Sequence, residues 1–261
     1  MNFTSSSKLL TVLMPLIPIL TWIVVMESLS RLEWIPSYII PPPFEVLRAL
    51  QEERAHLLDG LKSTLIGASS GLVISFIVGN SIAAILALSR LARLSLYPYA
   101  VFFQTVPVIA LAPVLVIWFG FGQPTVIASA FICSVFPIVA SSLLGLQSTD
   151  PGLVDLFKLY SASRWKLFFR LRVPFALPQI LSGLRIASGL AVIGAIVGEF
   201  IGGGGLGSVV DSARTQQRMD LVFAAVLTSS LLGVLFIVGV NWITHLLLHP
   251  WHASAQKKDS P

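Results

Sequence analysis

Charged residues are scarce in this chain of 261 residues, since Asp, Glu, Lys and Arg together make up only 11% of it. Soluble domains usually carry about 25% charged residues. The shortage, together with 55% hydrophobic residues and a mean hydropathy of +0.86, excludes an ordinary soluble protein and predicts a membrane protein. The length allows about six helical spans of about 20 residues each, which leaves no room for a separate soluble domain.

Cysteine is nearly absent. The single Cys133 excludes an intrachain disulfide and has no companions for a metal site, so we interpret it as a small packed residue. The four histidines also lack the acidic or cysteine neighbours of a metal site; they are His56, His245, His249 and His252. We therefore expect no metal and no cofactor.

Catalytic groups are missing as well. The chain shows no Ser/His/Asp arrangement, no paired catalytic carboxylates and no glycine-rich strand–helix unit. The glycine run at 202–207 lacks the Gly-Lys-Ser/Thr ending of a phosphate-binding loop. We expect no enzymatic activity, and any ATP hydrolysis would then belong to a partner chain.

Long apolar runs are what the chain has instead. They predict six transmembrane helices, at about 9–29, 65–88, 96–119, 125–146, 184–201 and 221–248. A cleavable signal peptide is the alternative for the first run, but the run is long for that purpose and only Lys8 precedes it. The expected fold class is an all-α membrane protein with about six transmembrane helices.

Three connecting features refine this prediction. The mixed region before the second run contains an amphipathic pattern at 45–59, which predicts a short helix on the membrane surface. Small residues in the second run favour close helix packing and a central position. The fifth run ends at the glycine run, and a polar loop to Asp220 is expected to follow.

Prolines interrupt the third run at Pro98, Pro107 and Pro113. Each removes a helix hydrogen bond, and a broken helix at membrane depth is tolerated only where protein or a water-filled cavity shields it. This pattern predicts that the third span faces the bundle interior. Pro107 and Pro113 are therefore candidates for a transport pathway.

Glu199 is the only carboxylate well inside a span. A charge in the membrane is costly and is a functional candidate by default. Two roles stay open for it, a role in the pathway or in gating, and a structural hydrogen bond or ion pair.

The distribution of charge predicts the orientation. Six spans place both termini on one side, which carries eleven basic and three acidic residues, a net +8, whereas the other side carries five basic and eight acidic residues, a net −3. Because Lys and Arg of short loops stay in the cytoplasm, the N and C termini are predicted to be cytoplasmic. The excess of positive charge follows from this asymmetry and does not indicate a nucleic-acid partner.

Residues 153–179, here called the basic segment, stand out on the cytoplasmic side. An apolar ridge at spacing i, i+3, i+4, i+7 predicts a first short helix, with Leu153, Leu156, Phe157 and Tyr160. A second short helix has one aromatic face, with Trp165, Phe168 and Phe169.

The ends of these two helices have their own signals. Ser161 and Ser163 are expected to cap the turn between them, and Pro174 and Pro178 to end the helical pattern. Two interpretations stay open at this point. The segment is either a docking surface for a cytoplasmic partner or an amphipathic loop on anionic lipid.

The order of residues in the basic segment resembles the cytoplasmic loop of ABC importer permeases. That loop reads Glu-Ala-Ala, three residues, Gly, nine residues, Ile, one residue, Leu-Pro. The spacing is intact here, and only the proline is identical. In order, the pattern falls on Asp155, Leu156, Phe157, Ser161, Leu171, Val173 and Pro174.

Other stretches resemble the nitrate/sulfonate/taurine-type group of these permeases, and the resemblance covers about residues 60–240. They include residues 162–165, 183–187 and 193–199, Gly205-Leu206-Gly207, and Pro107 and Pro113. The resemblance implies a type I ABC importer permease fold in a bacterial plasma (inner) membrane. The expected parts are residues 1–62 with the first span, a core at 63–248 with a coupling loop at 148–182, and a cytoplasmic tail at 249–261.

Function and partners are implied by the same resemblance. The chain would form a homodimer in the lipid bilayer, with two cytoplasmic ATPase subunits and an extracytoplasmic substrate-binding protein. The residues that couple to the ATPase would be Asp155, Leu156, Phe157, Tyr160, Ser161, Ala162, Arg164, Trp165 and Pro174. The implied cargo is nitrate, sulfonate or taurine, or a thiamine-pyrimidine or riboflavin-like vitamin precursor.

A secondary transporter or channel that works alone is the alternative function. Such proteins usually show an internal repeat or several ionisable residues in their spans. Only Glu199 qualifies here.

Overall fold

A computed structural model of the protein describes residues 14, 16–32, 36 and 38–248, and within these ranges it contains helices and no strands. The helices are α1 (Leu16–Arg31), α2 (Pro43–Glu52), α3 (Arg54–Leu88), α4 (Arg90–Gln104), α5 (Val108–Phe119), α6 (Gln123–Gln147), α7 (Pro151–Leu159), α8 (Arg164–Leu167), α9 (Val173–Gly202), α10 (Gly205–Thr215) and α11 (Met219–Leu248). A π-helical turn, Phe168–Arg172, joins α8 to α9. The all-α membrane fold is as predicted.

Four of the described helical stretches are long and apolar enough to cross a membrane: α3, α6, α11 and the continuous helix Arg164–Gly202. The pair α4 and α5 makes a fifth span if its two halves are counted together. These correspond to the second to sixth apolar runs. The first predicted span, 9–29, lies partly outside the described residues, and its described part belongs to α1, an apolar helix of 16 residues.

The core is a stack of three spans, with α6 packed between α3 and α9. Glycines allow the close approach on both sides. A Cβ on Gly71 of α3 would lie 2.5 Å from Ala130 Cβ, and one on Gly194 of α9 would lie 2.7 Å from the carbonyl oxygen of Ser129. The small residues of the second run therefore serve close packing, as predicted. The central helix is α6 rather than α3, because small residues of both neighbours pack against it.

Buried hydroxyl groups add hydrogen bonds to the α3–α6 contact. Ser75 and Ser134 lie 2.7 Å apart between their hydroxyl oxygens. Further along the two helices, Ser142 Oγ donates to Asn80 Oδ1 at 2.8 Å. Such bonds between spans are typically worth about 0.6 kcal/mol each, so close packing contributes most of the stability here.

The third span is broken near Pro107. α4 and α5 meet at 100°, and Pro107 is the N-cap of α5. α5 packs on α6 and α9, whereas α4 contacts the end of α3 and, less extensively, α6. Among the residues of α4 and α5 whose burial is described, only Ala112 and Leu115 are buried, and all three prolines are exposed. Most of this span is thus exposed on a single chain, and its position facing the bundle interior stays a prediction.

The predicted surface helix at 45–59 is also corrected. α2 ends at Glu52, and residues 54–59 are the first turns of α3, which continues without interruption to Leu88. The sequence pattern could not separate α2 from α3, because charged residues continue past the junction of the two helices at Glu53. Val46 and Ala49 of α2 are buried, and they join a core cluster with α10 and α11.

The polar loop expected before the sixth span is in fact helix α10. Leu206, Val209 and Ala213 lie on its inner face and are fully buried. This spacing of i, i+3 and i+7 is helical, but the polar residues between these positions concealed it.

The helical pattern of the basic segment continues past its prolines instead of ending there. Pro174 lies in the first turn of α9 and Pro178 lies inside it. Pro174 has no N–H to give to the preceding turn, and the wider π turn stands directly before it, with Val173 N–H bonded to Phe168 O. The helix therefore accommodates the missing donor without ending.

Candidate functional site

Helix α7 of the basic segment is held at its start by a side-chain cap. Asp150 Oδ1 accepts a hydrogen bond of 2.7 Å from Gly152 N–H, and Pro151 occupies the first turn. Asp is a favoured N-cap residue and Pro a favoured first residue. A nine-residue helix that would be marginal in isolation therefore has a defined first turn.

The end of α7 is held by a backbone motif centred on Ser161. Ser161 N–H donates to Lys158 O at 2.8 Å and Ala162 N–H donates to Phe157 O at 3.0 Å. This pair of bonds is a Schellman motif, which requires a left-handed residue at the position after the cap, and Ser161 has φ +53°. Glycine adopts that conformation without steric cost. The permease pattern places its glycine at this position.

The apolar ridge of α7 is exposed. Leu153 and Leu156 are 39% and 45% exposed and Tyr160 is 81% exposed, while Phe157 is half-buried. Asp155 and Lys158 flank the ridge and form an exposed ion pair of 2.8 Å. Two large aliphatic side chains and one aromatic side chain thus stand in solvent on a short, well-capped helix.

The second half of the segment has a polar cap and a split aromatic face. Ser163 Oγ accepts from Lys166 N–H at 3.3 Å, as predicted, whereas Ser161 contributes through its backbone. Trp165 and Phe169 stack with ring centroids 5.9 Å apart, and both are exposed.

Phe168 does not share this exposed face, which corrects the prediction. It is 4% exposed and packs in a cluster with the ends of α3 and α6. The exposed aromatic face therefore consists of Trp165 and Phe169 at spacing i, i+4, and Phe168 lies on the neighbouring side, which faces the bundle.

Glu199 lies in a buried contact between three helices. Its side chain has no exposed surface. Oε2 accepts hydrogen bonds from Thr64 Oγ of α3 at 3.0 Å and from Gly207 N–H of α10 at 2.9 Å. Leu206 N–H in turn donates to Thr64 Oγ at 3.0 Å. Glu199 therefore fixes the first turn of α10 against α3 and α9.

Two glycines make room for this carboxylate. A Cβ on Gly205, whose φ is +70°, would collide with the carboxylate of Glu199, and a Cβ on Gly207 would lie 2.8 Å from Glu199 Cβ. The run Gly205-Leu206-Gly207 is therefore required by packing. It forms the first turn of α10.

Comparison with known proteins places this architecture in a family. A family model described as "Binding-protein-dependent transport system inner membrane component" matches residues 61–248. The chain belongs to this family.

Relatives and a solved structure agree with the assignment of the chain as an ABC importer permease. A probable ABC transporter permease protein of Haemophilus influenzae is 34% identical over 234 residues, which cover 89% of this chain and 96% of that protein. The formylaminopyrimidine transport permease protein ThiX of Halalkalibacterium halodurans is 36% identical over 239 residues, covering 91% and 95%. An inward-facing structure of the MetNI methionine ABC transporter has a TM-score of 0.65 at 18% identity, covering 73% of this chain and 95% of that one.

The predicted site residues of the permease fall into three separate places. The predicted coupling residues lie at the end of the bundle where α6 ends and α9 begins, whereas Glu199 lies near the other end of α9. Pro107 and Pro113 are exposed on α5 and its cap. Sequence reasoning missed Thr64 and Gly207 as partners of Glu199. The available signal was the pair of glycines six and eight residues after a carboxylate in a span.

Proposed function

We propose that this permease is the membrane subunit of an ATP-driven, binding-protein-dependent importer, and that α7 docks into a groove on a cytoplasmic ATPase subunit. The observation that carries the proposal is the exposed apolar ridge on a helix capped at both ends. Both ends of α7 are fixed by caps although most of its apolar ridge is exposed. This arrangement is expected of a surface that a partner protein covers.

The energy available for docking is consistent with this role. Fully burying an exposed Leu or Phe side chain stabilises a contact by roughly 1.5–3 kcal/mol. Leu153 and Leu156 are 39% and 45% exposed and Tyr160 is 81% exposed, so covering their exposed parts supplies roughly 2–5 kcal/mol in all. Phe157, the fourth residue of the ridge, is half-buried. The remaining proposed coupling residues lie on α7, in its closing turn and at the start of α8 and α9: Asp155, Ser161, Ala162, Arg164, Trp165 and Pro174.

A continuous helix offers a route from the docking surface to the membrane core. Arg164–Gly202 spans 39 residues, or roughly 58 Å at 1.5 Å per residue. It starts four residues after Tyr160 and contains Glu199 near its far end. When the ATPase closes, a displacement of α7 would move this helix. The hydrogen bonds of Glu199 would then transmit the movement to α10 and α3.

A homodimer is supported by the exposed third span. The prolines of α4 and α5 free backbone carbonyl groups, which must be shielded at membrane depth by protein or a cavity. Their own chain leaves Pro107 and Pro113 exposed, so a second copy and the pathway between the copies would supply the shield. An apolar groove of about 540 Å³ between α9 and α11 offers a second surface for the same contact.

Two ATPase subunits would then match the two α7 helices of the dimer. The N and C termini would lie in the cytoplasm with the basic segment, as the charge distribution predicts. An extracytoplasmic binding protein would deliver the cargo on the opposite side. We propose residues 63–248 as the transport core, with 148–182 as the coupling region.

The cargo is proposed to be a small solute. The name of the Halalkalibacterium halodurans relative, which is 36% identical, favours a pyrimidine precursor of thiamine. Nitrate, sulfonate, taurine and a riboflavin-like compound are the other candidates. Isothermal titration of the cognate binding protein with a formylaminopyrimidine, taurine, an alkyl sulfonate, nitrate and riboflavin tests this, and tight binding of the pyrimidine is expected.

The docking proposal is tested by Phe157→Asp and Tyr160→Asp. A carboxylate on the ridge must be desolvated on docking, so both variants are expected to lose co-purification with the ATPase and ATP-dependent uptake while retaining normal insertion. Leu159→Asp is the matched control, because Leu159 is 82% exposed and lies off the ridge on the same helix.

Two results would contradict the proposal. Unchanged ATPase co-purification in Tyr160→Asp would remove α7 as the docking element. Uptake by the purified permease in vesicles without any ATPase would instead establish the stand-alone transporter.

A further inference from the structure

A positively charged cleft of about 680 Å³ opens beside the coupling segment. Three stretches far apart in sequence form it: the α3–α4 corner, the end of α6, and the basic segment. Its lining contains five basic side chains and no Asp or Glu: Arg90, Arg93, Lys158, Arg164 and Arg172. The charge distribution predicts that these residues lie on one side of the membrane, but the sequence gives no sign that they lie close together.

Little within the protein neutralises this charge. Within residues 38–248, the one carboxylate paired with any of the five side chains is Asp155, which lies 2.8 Å from Lys158. The C-terminal ends of α3 and α6 each add about half a negative charge at the cleft, and the N-terminal end of α4, which begins at Arg90, adds about half a positive charge. A surplus of about three to four positive charges is left.

Arg172 gives the cleft a donor without an acceptor. Its Nε is buried and has no hydrogen-bond partner within the described chain. The π turn that carries Arg172 is anchored at its other end by the buried Phe168. Arg172 also lines the cleft and is half-buried, so its guanidinium is held beside the cleft with a donor that the described chain leaves unpaired.

We propose that the cleft binds a phosphate group, and that the phosphate belongs to the headgroup of an anionic phospholipid of the surrounding bilayer. The planar guanidinium matches phosphate oxygens with paired hydrogen bonds. Basic pockets between spans on the cytoplasmic side are suited to anionic headgroups. The assignment of the lipid to the cytoplasmic leaflet rests on the proposed orientation of the protein, whereas the position of the cleft does not.

The surroundings favour a lipid over free phosphate. The cleft lies where the spans α3 and α6 end, which is headgroup depth for helices of this length. Ala87 and Leu88 line it, and Leu91 and Leu94 of α4 beside it are 76% and 66% exposed. Exposed apolar side chains thus lie next to the basic lining, as the binding of a lipid with its acyl chains would require.

A lipid bound there would touch the α3–α4 corner and the coupling segment at once. Arg90 and Arg93 belong to the first of these, and Lys158, Arg164 and Arg172 to the second. The bound headgroup would hold the segment against the bundle.

The full-length permease in neutral detergent is titrated with short-chain phosphatidylglycerol, with short-chain phosphatidylcholine, and with inorganic phosphate alone. We expect phosphatidylglycerol to bind more tightly than the other two probes. Arg172→Gln and Arg93→Gln, on opposite sides of the cleft, are each expected to weaken phosphatidylglycerol binding about fivefold. Arg170→Gln is the matched control, since Arg170 is exposed on the same π turn and does not line the cleft.

Three results would overturn the proposal. The first is equal affinity for the two lipids, or equal losses in Arg170→Gln and both cleft variants. The second is binding of inorganic phosphate as tight as that of phosphatidylglycerol, which would assign the cleft to a soluble anion. The third is loss of ATPase co-purification in Arg93→Gln with unchanged lipid affinity, which would assign the cleft to the protein partner.

Discussion

Thr64 and Glu199 are 135 residues apart in the chain, and a hydrogen bond of 3.0 Å joins their side chains in the buried interior. Both residues are fully buried. Each also accepts a backbone N–H from the first turn of α10, Thr64 from Leu206 and Glu199 from Gly207. One carboxylate and one hydroxyl thus hold three helices together.

The first prediction concerns the charge of Glu199. Glu199→Gln keeps a side-chain oxygen that accepts from Thr64 and Gly207, so we expect near-normal uptake and thermal stability. Glu199→Ala leaves both donors buried without an acceptor, which costs about 1–3 kcal/mol for each donor. We expect it to lower the melting temperature in detergent and to reduce uptake.

Glu52→Gln is the control for this pair, because Glu52 is an exposed carboxylate on α2, and it should change neither quantity. Loss of uptake in Glu199→Gln with unchanged thermal stability would show that the negative charge itself acts in transport.

The sequence predicted half of this contact. Glu199 stood out because an acidic residue in a span is rare and costly. Its partner was hidden, because Thr64 is one of several hydroxyl residues on α3, and which one faces Glu199 depends on the register of α3 against α9. α10 was hidden because its buried residues alternate with polar ones over only three turns.

The second prediction concerns the left-handed residue of the coupling segment. A residue other than glycine in that conformation loses roughly 1–2 kcal/mol, so Ser161→Gly is expected to stabilise the end of α7 without reducing uptake. Ser161→Val is expected to destabilise the end of α7 and to reduce uptake, because a β-branched side chain tolerates positive φ poorly. ATPase activity of the reconstituted complex and ATP-dependent uptake measure both effects.

Ser163→Gly provides the comparison two residues later. Ser163 has φ −62° and caps α8, so glycine there removes a cap and relieves no strain. Equal stabilisation by Ser163→Gly and Ser161→Gly would contradict the prediction, because it would mean that the effect of glycine does not depend on the φ of Ser161.

The spans themselves were the most predictable part of the fold. Apolar runs gave α3, α6, α9 and α11 because every backbone polar group in lipid must be satisfied within the helix, so composition and length decide the structure. The third span was harder. Its prolines predicted a break, but the 100° turn and the exposed side of α4 depend on what lies outside this chain. The cationic cleft was not predictable, since three distant stretches form it.

The third prediction tests the close packing of α3 on α6. Gly71→Ala places a methyl group 2.5 Å from Ala130 Cβ and 3.0 Å from the backbone at Ile127 and Phe131. The helices must move apart, and we expect a loss of about 1–3 kcal/mol, seen as a lower melting temperature. Gly239→Ala is the matched control in another span, because nothing lies within 4 Å of its Cβ position. Equal effects of the two would contradict the packing account.

The last prediction concerns the contact between Arg218, which precedes α11, and the α2–α3 junction. Arg218 donates to Glu53 Oε1 at 2.6 Å and to Asp220 Oδ2 at 3.1 Å, and these hydrogen bonds, with Glu53 first, raise the pKa of Arg218. The three side chains are about one third exposed, so solvent weakens the pairs.

A double-mutant cycle of Arg218→Gln and Glu53→Gln should therefore give a coupling of only about 0.5–1 kcal/mol in thermal unfolding. About 1 M salt should shrink it further, because screening then acts over about 3 Å. The same cycle with Arg48 and Glu52, an exposed pair within α2, is expected to give a smaller coupling energy, since that pair does not join two separate helices. α2 also contacts α11 through the buried residues Val46 and Ala49, and we expect this apolar packing to contribute more than the ion pair. A coupling energy of several kcal/mol would contradict this and show that the ion pair attaches the N-terminal helices to the transport core.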